Sequence, residues 1–371
     1  MRILYVTTIG GTMGFFKHYI KELIEAGHTV DIACNDSVSK VPVWYYNLNC
    51  KVYSIKASRK PFDKGNLVAI KQLKEIVKNN NYDMVHCHTP VAAMCTRFAC
   101  RKERKNGLKV FYTAHGFHFY KGAPIKNWLM YYPVEKLCSY WTDMIITINN
   151  EDYQLAKNKL KAMQVEYVPG VGIDVSRFSN VDADRNEKRR EYGVPENAFM
   201  LASAGELNQN KNHEVIIRAL ASINDKNIYY CIAGKGPLME YLPNLAKELG
   251  IEENVKVLGH RKDIPELYKS ADVCVFPSYR EGLGLAAIEG MASGLPLIVS
   301  NNRGAKSFAV DGVNAIVCPL GTNFVPYAEA IKRLRDSEEL RRSMSEYNKK
   351  ESSKYEVKDI NMQMKKIYGI D

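Results

Sequence analysis

The sequence predicts an α/β protein made of two Rossmann-like domains. Short apolar runs alternate with longer amphipathic stretches from end to end, the pattern of parallel strands covered by helices. The alternation is written twice, on either side of a cluster of turn residues, Val168-Pro169-Gly170-Val171-Gly172. A length of 371 residues, 46% hydrophobic and 25% charged, suits two cores of ordinary size.

In the first half the strand candidates are Ile3 to Thr7, Thr29 to Cys34, Met84 to His88, Val110 to Ala114, Met144 to Ile148 and Glu166 to Val168. Helices are expected at Phe15 to Ala26, closed by Gly27, and at Leu67 to Lys78, closed by Asn79-Asn80-Asn81. The second half repeats the style. Its strand candidates are Phe199 to Ala204, Ile228 to Ala233, Val255 to Leu258, Val273 to Phe276, Pro296 to Val299 and Ala315 to Val317. Its helices are expected at His213 to Ile223, Leu238 to Leu249 and Ile264 to Ser270, with polar helices Glu338 to Lys350 and Val357 to Tyr368 at the end. The domains are therefore set at 1–170 and 171–355, followed by a terminal helix over 356–371. A ligand site is expected where strand carboxyl ends of both domains face a shared cleft.

Composition narrows the function. No run of eighteen apolar residues is present, and the apolar start Ile3-Leu4-Tyr5-Val6 leads into Gly10-Gly11, so it reads as a first buried strand rather than an export signal. Nine cysteines without a Cys-x-x-Cys pair point to a reducing compartment, the cytoplasm, and away from structural zinc. Residues 1–170 carry 24 Lys and Arg against 13 Asp and Glu, whereas residues 171–371 carry 28 of each, so the whole net charge of +11 sits in the first half. Such one-sidedness suits an anionic partner, either a membrane leaflet or nucleic acid.

The most specific segment runs from Tyr279 to Ser300, YREGLGLAAIEGMASGLPLIVS. Glu281 stands at the mouth of a turn. Gly282, Leu283 and Gly284 leave backbone N–H groups at a helix start, where free donors and the helix dipole favour an electron-rich oxygen ligand. Glu289 lies about a turn and a half into that helix, placed to accept hydrogen bonds from neighbouring hydroxyls such as a ribose offers. The glutamate pair, followed by Met-Ala-Ser-Gly-Leu-Pro, resembles the donor-sugar signature of the retaining family 4 glycosyltransferases with a GT-B fold. By that resemblance Glu281 and the amides after it hold the donor sugar's hydroxyls, and Glu289 holds the nucleotide ribose.

The resemblance extends over nearly the whole chain. Ser203 to His213, SAGELNQNKNH, is similar to the family's phosphate element, in which Lys211 neutralises the departing diphosphate. The family's usual Arg position is Glu206 here, and Arg280, Arg303 and Lys235 are the candidate replacements. Gly234, in the turn after Ile228 to Ala233, is expected to permit close approach of the donor, and Arg261 in the turn Gly259-His260-Arg261 to border the base; a plain strand-to-helix turn explains both positions as well. His115, at the end of Val110 to Ala114, resembles the first-domain histidine that hydrogen-bonds the donor sugar, a task for a neutral imidazole. His118 reads as a structural loop residue. Gly10 and Gly11 open a helix after the first strand, where amides can face a phosphate, but glycines there also serve plain tight turns. The spacing departs from a dinucleotide fingerprint, which argues against an NAD oxidoreductase. Pro169 to Phe178, PGVGIDVSRF, is similar to the GT-B hinge, and by the same analogy the last helix returns to the first domain.

His86 and His88 flank Cys87 on a strand and share one face. No carboxylate or second cysteine follows at ligand spacing, and no Asp-x-Asp set is present, so neither a metal nor a cofactor is implied. Arg97, Arg101, Lys102, Arg104, Lys105 and Lys109 crowd one segment, and Ile125 to Trp141 adds Trp128, Leu129, Tyr131, Tyr132, Leu137, Tyr140 and Trp141. Two short helices are expected there, broken at Pro133. The segment suits docking on an anionic inner membrane surface, a reading the charge asymmetry favours over a solvated charge run and a buried aromatic stripe.

The resemblance implies an enzyme of capsule or exopolysaccharide assembly, moving a hexose or N-acetylhexosamine from a nucleotide diphosphate sugar to a polyprenyl-diphosphate-linked or saccharide acceptor. A GT-B nucleotide-sugar epimerase shares those features without needing an acceptor. A nucleic-acid-binding protein accounts for the charge, but no RNA or DNA motif accompanies it.

Overall fold

In a computed structural model, which describes residues 1–370, the apolar runs become parallel strands buried on both faces, as a sheet with helices on either side requires. The chain divides into two units, Met1–Val171 joined by the chain from Ile360 on, and Gly172–Asp359.

The first unit holds β1 (Arg2–Ile9), β2 (Thr29–Asn35), β3 (Val52–Ser54), β4 (Met84–His88), β5 (Lys109–Ala114), β6 (Met144–Thr147) and β7 (Gln164–Tyr167) in the order β3-β2-β1-β4-β5-β6-β7. The period-two alternation of a strand sorts its side chains into two cores. Leu4, Val6, Val85, Cys87, Val110 and Tyr112 face one way, among Ala69, Leu73 and Val77 of the helix Gly65–Asn80 and Ala92, Cys95 and Ala99 of the helix Pro90–Cys100. Ile3, Tyr5, Ile32, Met84 and Phe111 face the other way, with Tyr19, Ile20 and Leu23 of the helix Lys17–Glu25 and Ile360 and Tyr368 of the terminal helix Val357–Tyr368. Polar contacts fasten that last helix. Glu22 accepts from Asn361 Nδ2 at 2.6 Å and pairs with Lys365 at 2.7 Å, and Gln363 donates to the Tyr167 carbonyl at 2.7 Å.

The second unit holds β8 (Phe199–Ala204), β9 (Ile228–Ala233), β10 (Val255–Gly259), β11 (Val273–Phe276), β12 (Leu297–Ser300) and β13 (Ala315–Cys318), ordered β10-β9-β8-β11-β12-β13. Each sheet reverses its winding once, between β1 and β4 in the first unit and between β8 and β11 in the second. Loops leaving the carboxyl ends of strands diverge at such a reversal and leave a crevice for a ligand.

Four features depart from the sequence reading. β3 is a three-residue edge strand, too short to show alternation. Gly10–Phe16 forms a 3₁₀ turn ahead of the first helix. Ile125–Ser139 is one helix that runs through Pro133. The Leu129 carbonyl that Pro133 leaves without its usual donor belongs to an exposed residue, where water can serve it, while Trp128, Tyr131 and Tyr132 pack on the core. Arg97, counted on the basic face, is fully buried. Its guanidinium forks onto the Glu135 carboxylate, with Nη2 at 3.1 Å from Oε2, and lies 4.3 Å from the centre of the Tyr112 ring. All nine cysteines are buried and free, and among the described residues no helix is long and apolar enough to cross a membrane.

Candidate functional site

At the reversal in the second unit, two loops are stitched together by backbone and amide groups. The loop after β8 sends the Asn210 carbonyl to the Tyr279 N–H at 2.8 Å, and Asn210 Nδ2 donates to the Arg280 carbonyl at 2.9 Å. Asn208 Oδ1 accepts from the Lys211 N–H at 3.1 Å and turns the chain there. These contacts deliver the Lys211 ammonium to 2.7 Å from Glu281 Oε1, with the Phe276 ring centre 5.1 Å away. Both side chains keep a minor exposed share, 19% for Lys211 and 16% for Glu281, so the pair is sheltered but reachable.

The turn after Glu281 is shaped by what it abuts. Gly284 has φ of +113° and a Cβ there would lie 2.8 Å from the Phe276 ring, so no other residue fits. Leu283, between the two glycines, is buried in the core. The helix Leu285–Ala292 starts at once, with its first N–H groups lacking intrahelical acceptors. Gly304 presses on the turn, since a Cβ there would come within 2.9 Å of Glu281 Cβ, and its chain neighbour Arg303 is buried. Glu289, fifth residue of the helix, is half-buried. Burial pushes its carboxyl up to about 7, partly offset by the charges of Arg177 and Lys211. Lys211, Glu281 and Glu289 thus share one electrostatic neighbourhood.

Other residues named from sequence fall differently. Gly234 does allow a close approach, but of the protein's own backbone: a Cβ there would stand 1.7 Å from the Gly205 carbonyl oxygen. Arg261 is engaged by Glu191 and Asp263, with Nε at 2.8 Å from Asp263 Oδ1, and holds the Asp263 carboxyl well below its ordinary value. Of the candidates to replace the cation absent at Glu206, Lys235 and Arg280 are exposed, while Arg303 is buried, next in the chain to Gly304, which abuts the turn.

In the first unit Gly10 donates its N–H to the Ser39 carbonyl at 3.0 Å, and a Cβ would sit 2.4 Å from that oxygen. This corrects the expectation that the Gly10 amide faces a phosphate, because the donor is already used. Gly11 is exposed, with Ser39 Oγ at 2.6 Å from where a Cβ would be. His115 follows β5, half-buried, with Nε2 at 3.2 Å from Nδ1 of His88 at the end of β4. Burial pulls its pKa down to about 4, so the ring is neutral at cellular pH. His86 and His88 do share a face, with ring centres 4.1 Å apart. His118 packs on Tyr131, ring centres 4.6 Å apart. Phe276, Asn208, Asn210 and His88 were not assigned a role from sequence. Only the Asn-x-Asn spacing after β8 offered a signal, that of a turn.

The chain matches the Glycosyl transferase 4-like family over residues 2–149 and the Glycosyl transferases group 1 family over residues 184–351. The Bacillus subtilis (strain 168) protein named as glycosyltransferase EpsD is 38% identical over 373 residues, covering 99% of this chain and 96% of its own. The chain belongs to the family 4 glycosyltransferases. This glycosyltransferase is also 28% identical, over 74% of its length and 73% of the other's, to the Escherichia coli UDP-Gal:alpha-D-GlcNAc-diphosphoundecaprenol alpha-1,3-galactosyltransferase. Its fold is GT-B. Anabaena Alr3699/HepE, solved with UDP, superposes with a TM-score of 0.83 over the whole of both chains at 19% identity, and is also known in complex with UDP-glucose.

Proposed function

We propose that this glycosyltransferase transfers a hexose or N-acetylhexosamine, with retention, from a UDP-sugar to a lipid-linked saccharide during exopolysaccharide assembly. The observation that carries the reading is the Lys211–Glu281 pair, 2.7 Å apart, beside a helix start at the reversal of the sheet. An ammonium held there by a carboxylate can pass to a diphosphate, leaving Glu281 to accept from sugar hydroxyls. Glu289 takes the ribose hydroxyls, and Arg303 supplies the cation absent at Glu206. His115, a neutral imidazole, is read from the resemblance as a hydrogen-bonding contact to a sugar hydroxyl.

No protein nucleophile is needed in this scheme. The bond from the anomeric carbon to the β-phosphate oxygen breaks, and the acceptor oxygen forms its bond on the same face. The acceptor's proton leaves with the diphosphate, whose charge Lys211 balances without a metal ion. The relatives support the substrate classes: one acts by name on a UDP-galactose and a diphosphoundecaprenol-linked sugar, and another binds UDP-glucose.

On the acceptor side, a cavity of about 210 Å³ in the first unit is lined by Phe62, Val91, Met94, Phe119, Met130 and Val134. Phe62 is exposed, as are Ile125 and Leu129 of the helix that supplies Met130 and Val134, with Arg59, Lys60, Lys64, Lys121 and Lys126 nearby in the chain and also exposed. Apolar side chains among cations suit an amphiphile with an anionic head, and a peripheral seat on the inner membrane surface. A panel of UDP-sugars tests the function directly. Transfer to an undecaprenyl-diphosphate saccharide is expected from one of them, and release of epimerised sugar without acceptor overturns the assignment.

A further inference from the structure

We propose that His88 is a positioning residue, fixing His115 in the tautomer that carries its proton on Nδ1 and so making it a hydrogen-bond donor to a ligand oxygen. The inference rests on the reading of His115 as a donor-sugar contact, and extends it to a residue that touches no substrate.

The two rings meet through His88 Nδ1 and His115 Nε2 at 3.2 Å. Burial lowers the pKa of both, so one proton lies between two neutral rings and only its direction is open. The other nitrogen of His88 decides that direction. Nε2 is buried and has no hydrogen-bond partner. Were His115 the donor, His88 would carry its own proton on Nε2, an N–H sealed from water with nothing to accept it. Orphaned buried N–H groups are the rarer defect, while a bare ring lone pair is better tolerated. The unmet donor disfavours that arrangement by about tenfold. The proton therefore sits on His88 Nδ1 and points at His115 Nε2, which leaves the His115 proton on Nδ1.

The packing gives His88 no freedom to escape this role. Its ring lies 4.3 Å from the centre of Phe16 and stacks on Tyr5 at 5.4 Å. His86, on the same face, is occupied by Thr113 Oγ1 at 2.7 Å and by the Tyr368 hydroxyl, so it offers His88 Nε2 nothing. Thr89, next in the chain, is held at φ of +64°, an uncommon conformation for a β-branched residue. Its hydroxyl is fastened to Thr8 Oγ1 at 2.7 Å, which pins the end of β4 and with it the His88 backbone.

Long-range proton–nitrogen spectra of ¹⁵N-histidine-labelled protein, with His115→Gln and His88→Leu used for assignment, read the tautomers directly. Protonated Nδ1 on both rings is expected, and His115 protonated on Nε2 overturns the inference without reference to activity. His88→Asn places an amide N–H near the position of Nδ1. It should keep the His115 pattern and kcat within about threefold, whereas His88→Leu loses the pattern and about tenfold in kcat with acceptor KM unchanged. Equal losses in both variants with the His115 signal unmoved also overturn it. Titration with UDP-glucose separates the underlying reading: an Nδ1–H tautomer whose resonance ignores the ligand leaves the inference standing and removes His115 from the donor site.

Discussion

Lys211 Nζ and Glu281 Oε1 lie 2.7 Å apart, although seventy residues separate them in the chain, because Asn210 binds the 279–280 backbone and folds one loop onto the other. On the proposed function, the Glu281 carboxylate and the donor's diphosphate compete for that one ammonium. This relationship makes opposite predictions for binding and for turnover.

Glu281→Gln should bind UDP more tightly, by about threefold to tenfold, since Lys211 no longer leaves a charged partner. The same variant should lose about a hundredfold in kcat for the full nucleotide sugar, whose hydroxyls exchange a charged carboxylate acceptor for a weaker amide oxygen and an amide donor. Lys211→Ala should weaken UDP and slow turnover together. Calorimetry with UDP and steady-state kinetics check both; weaker UDP binding by Glu281→Gln removes the competition between carboxylate and diphosphate.

Glu289 ties stability to pH. Its carboxyl is raised from 4.5 to about 7, first by burial. Between those values the native state binds more protons than the unfolded chain, so stability falls as pH rises through that window. Glu289→Gln should stabilise the second unit by about 2 kcal/mol at pH 8 and have no effect at pH 4, measured by thermal unfolding. UDP affinity should run the other way. It weakens below about pH 7 in the wild type, as the ribose acceptor is protonated, and the variant should show a shallower dependence, that of the phosphate alone.

Much of this arrangement was legible in the sequence, and the reasons differ from part to part. Buried parallel strands read as unbroken apolar runs, so Ile228–Ala233 and Val273–Phe276 were placed to the residue. The turn Glu281 to Gly284 was legible because its glycines answer a local backbone demand. Contacts made only in three dimensions left no trace. Glu135 is far from Arg97 in the chain, so a buried ion pair looked like part of a basic face; Pro133 looked like a break because the packing that carries the helix past it is tertiary. His88 was seen as one of a histidine pair, and its contact with His115 depends on the register of β4 against β5, where His88 stands opposite Thr113.

The buried Arg97–Glu135 pair ties the helix Ile125–Ser139 to the core and should show the asymmetry of such pairs. Removing one partner strands a charge, so Arg97→Met and Glu135→Leu should each cost about 3 to 5 kcal/mol in urea unfolding. The double variant should recover most of that loss, because two apolar residues replace two desolvated charges. Additive losses would mean that the pair is not coupled.

Gly234 offers a test of packing against direct donor contact. A Cβ would stand 1.7 Å from the Gly205 carbonyl oxygen, and Gly205 itself lies close to Lys211, since a Cβ built on it would be 3.3 Å from Cε. Gly234→Ala must therefore push the β8 loop aside. It should lower the unfolding temperature by several degrees and weaken UDP binding through Lys211, about 1 to 3 kcal/mol in each readout. Gly14→Ala, with nothing within 4 Å of its Cβ, serves as the comparison and should leave both within about 0.5 kcal/mol.

The proposed seat on a bilayer predicts which exposed apolar side chains of the first unit enter it. Phe62 and Leu129 are 84% and 73% exposed, whereas Trp128, Tyr131 and Tyr132 pack on the core, so the outer side chains and not the aromatic stripe are free to enter a leaflet. Phe62→Asp with Leu129→Glu should abolish flotation with anionic vesicles, and Leu129→Glu alone, outside the cavity lining, should weaken it while leaving transfer to a short water-soluble acceptor unchanged. Lys60→Glu with Lys126→Glu should weaken flotation by about 1 kcal/mol per cation removed, and raised salt should mimic that loss in the wild type. The distinction matters because a purely electrostatic attachment would survive the apolar substitutions, while insertion of these side chains would not; flotation of Phe62→Asp with Leu129→Glu at wild-type level therefore assigns attachment to charge alone.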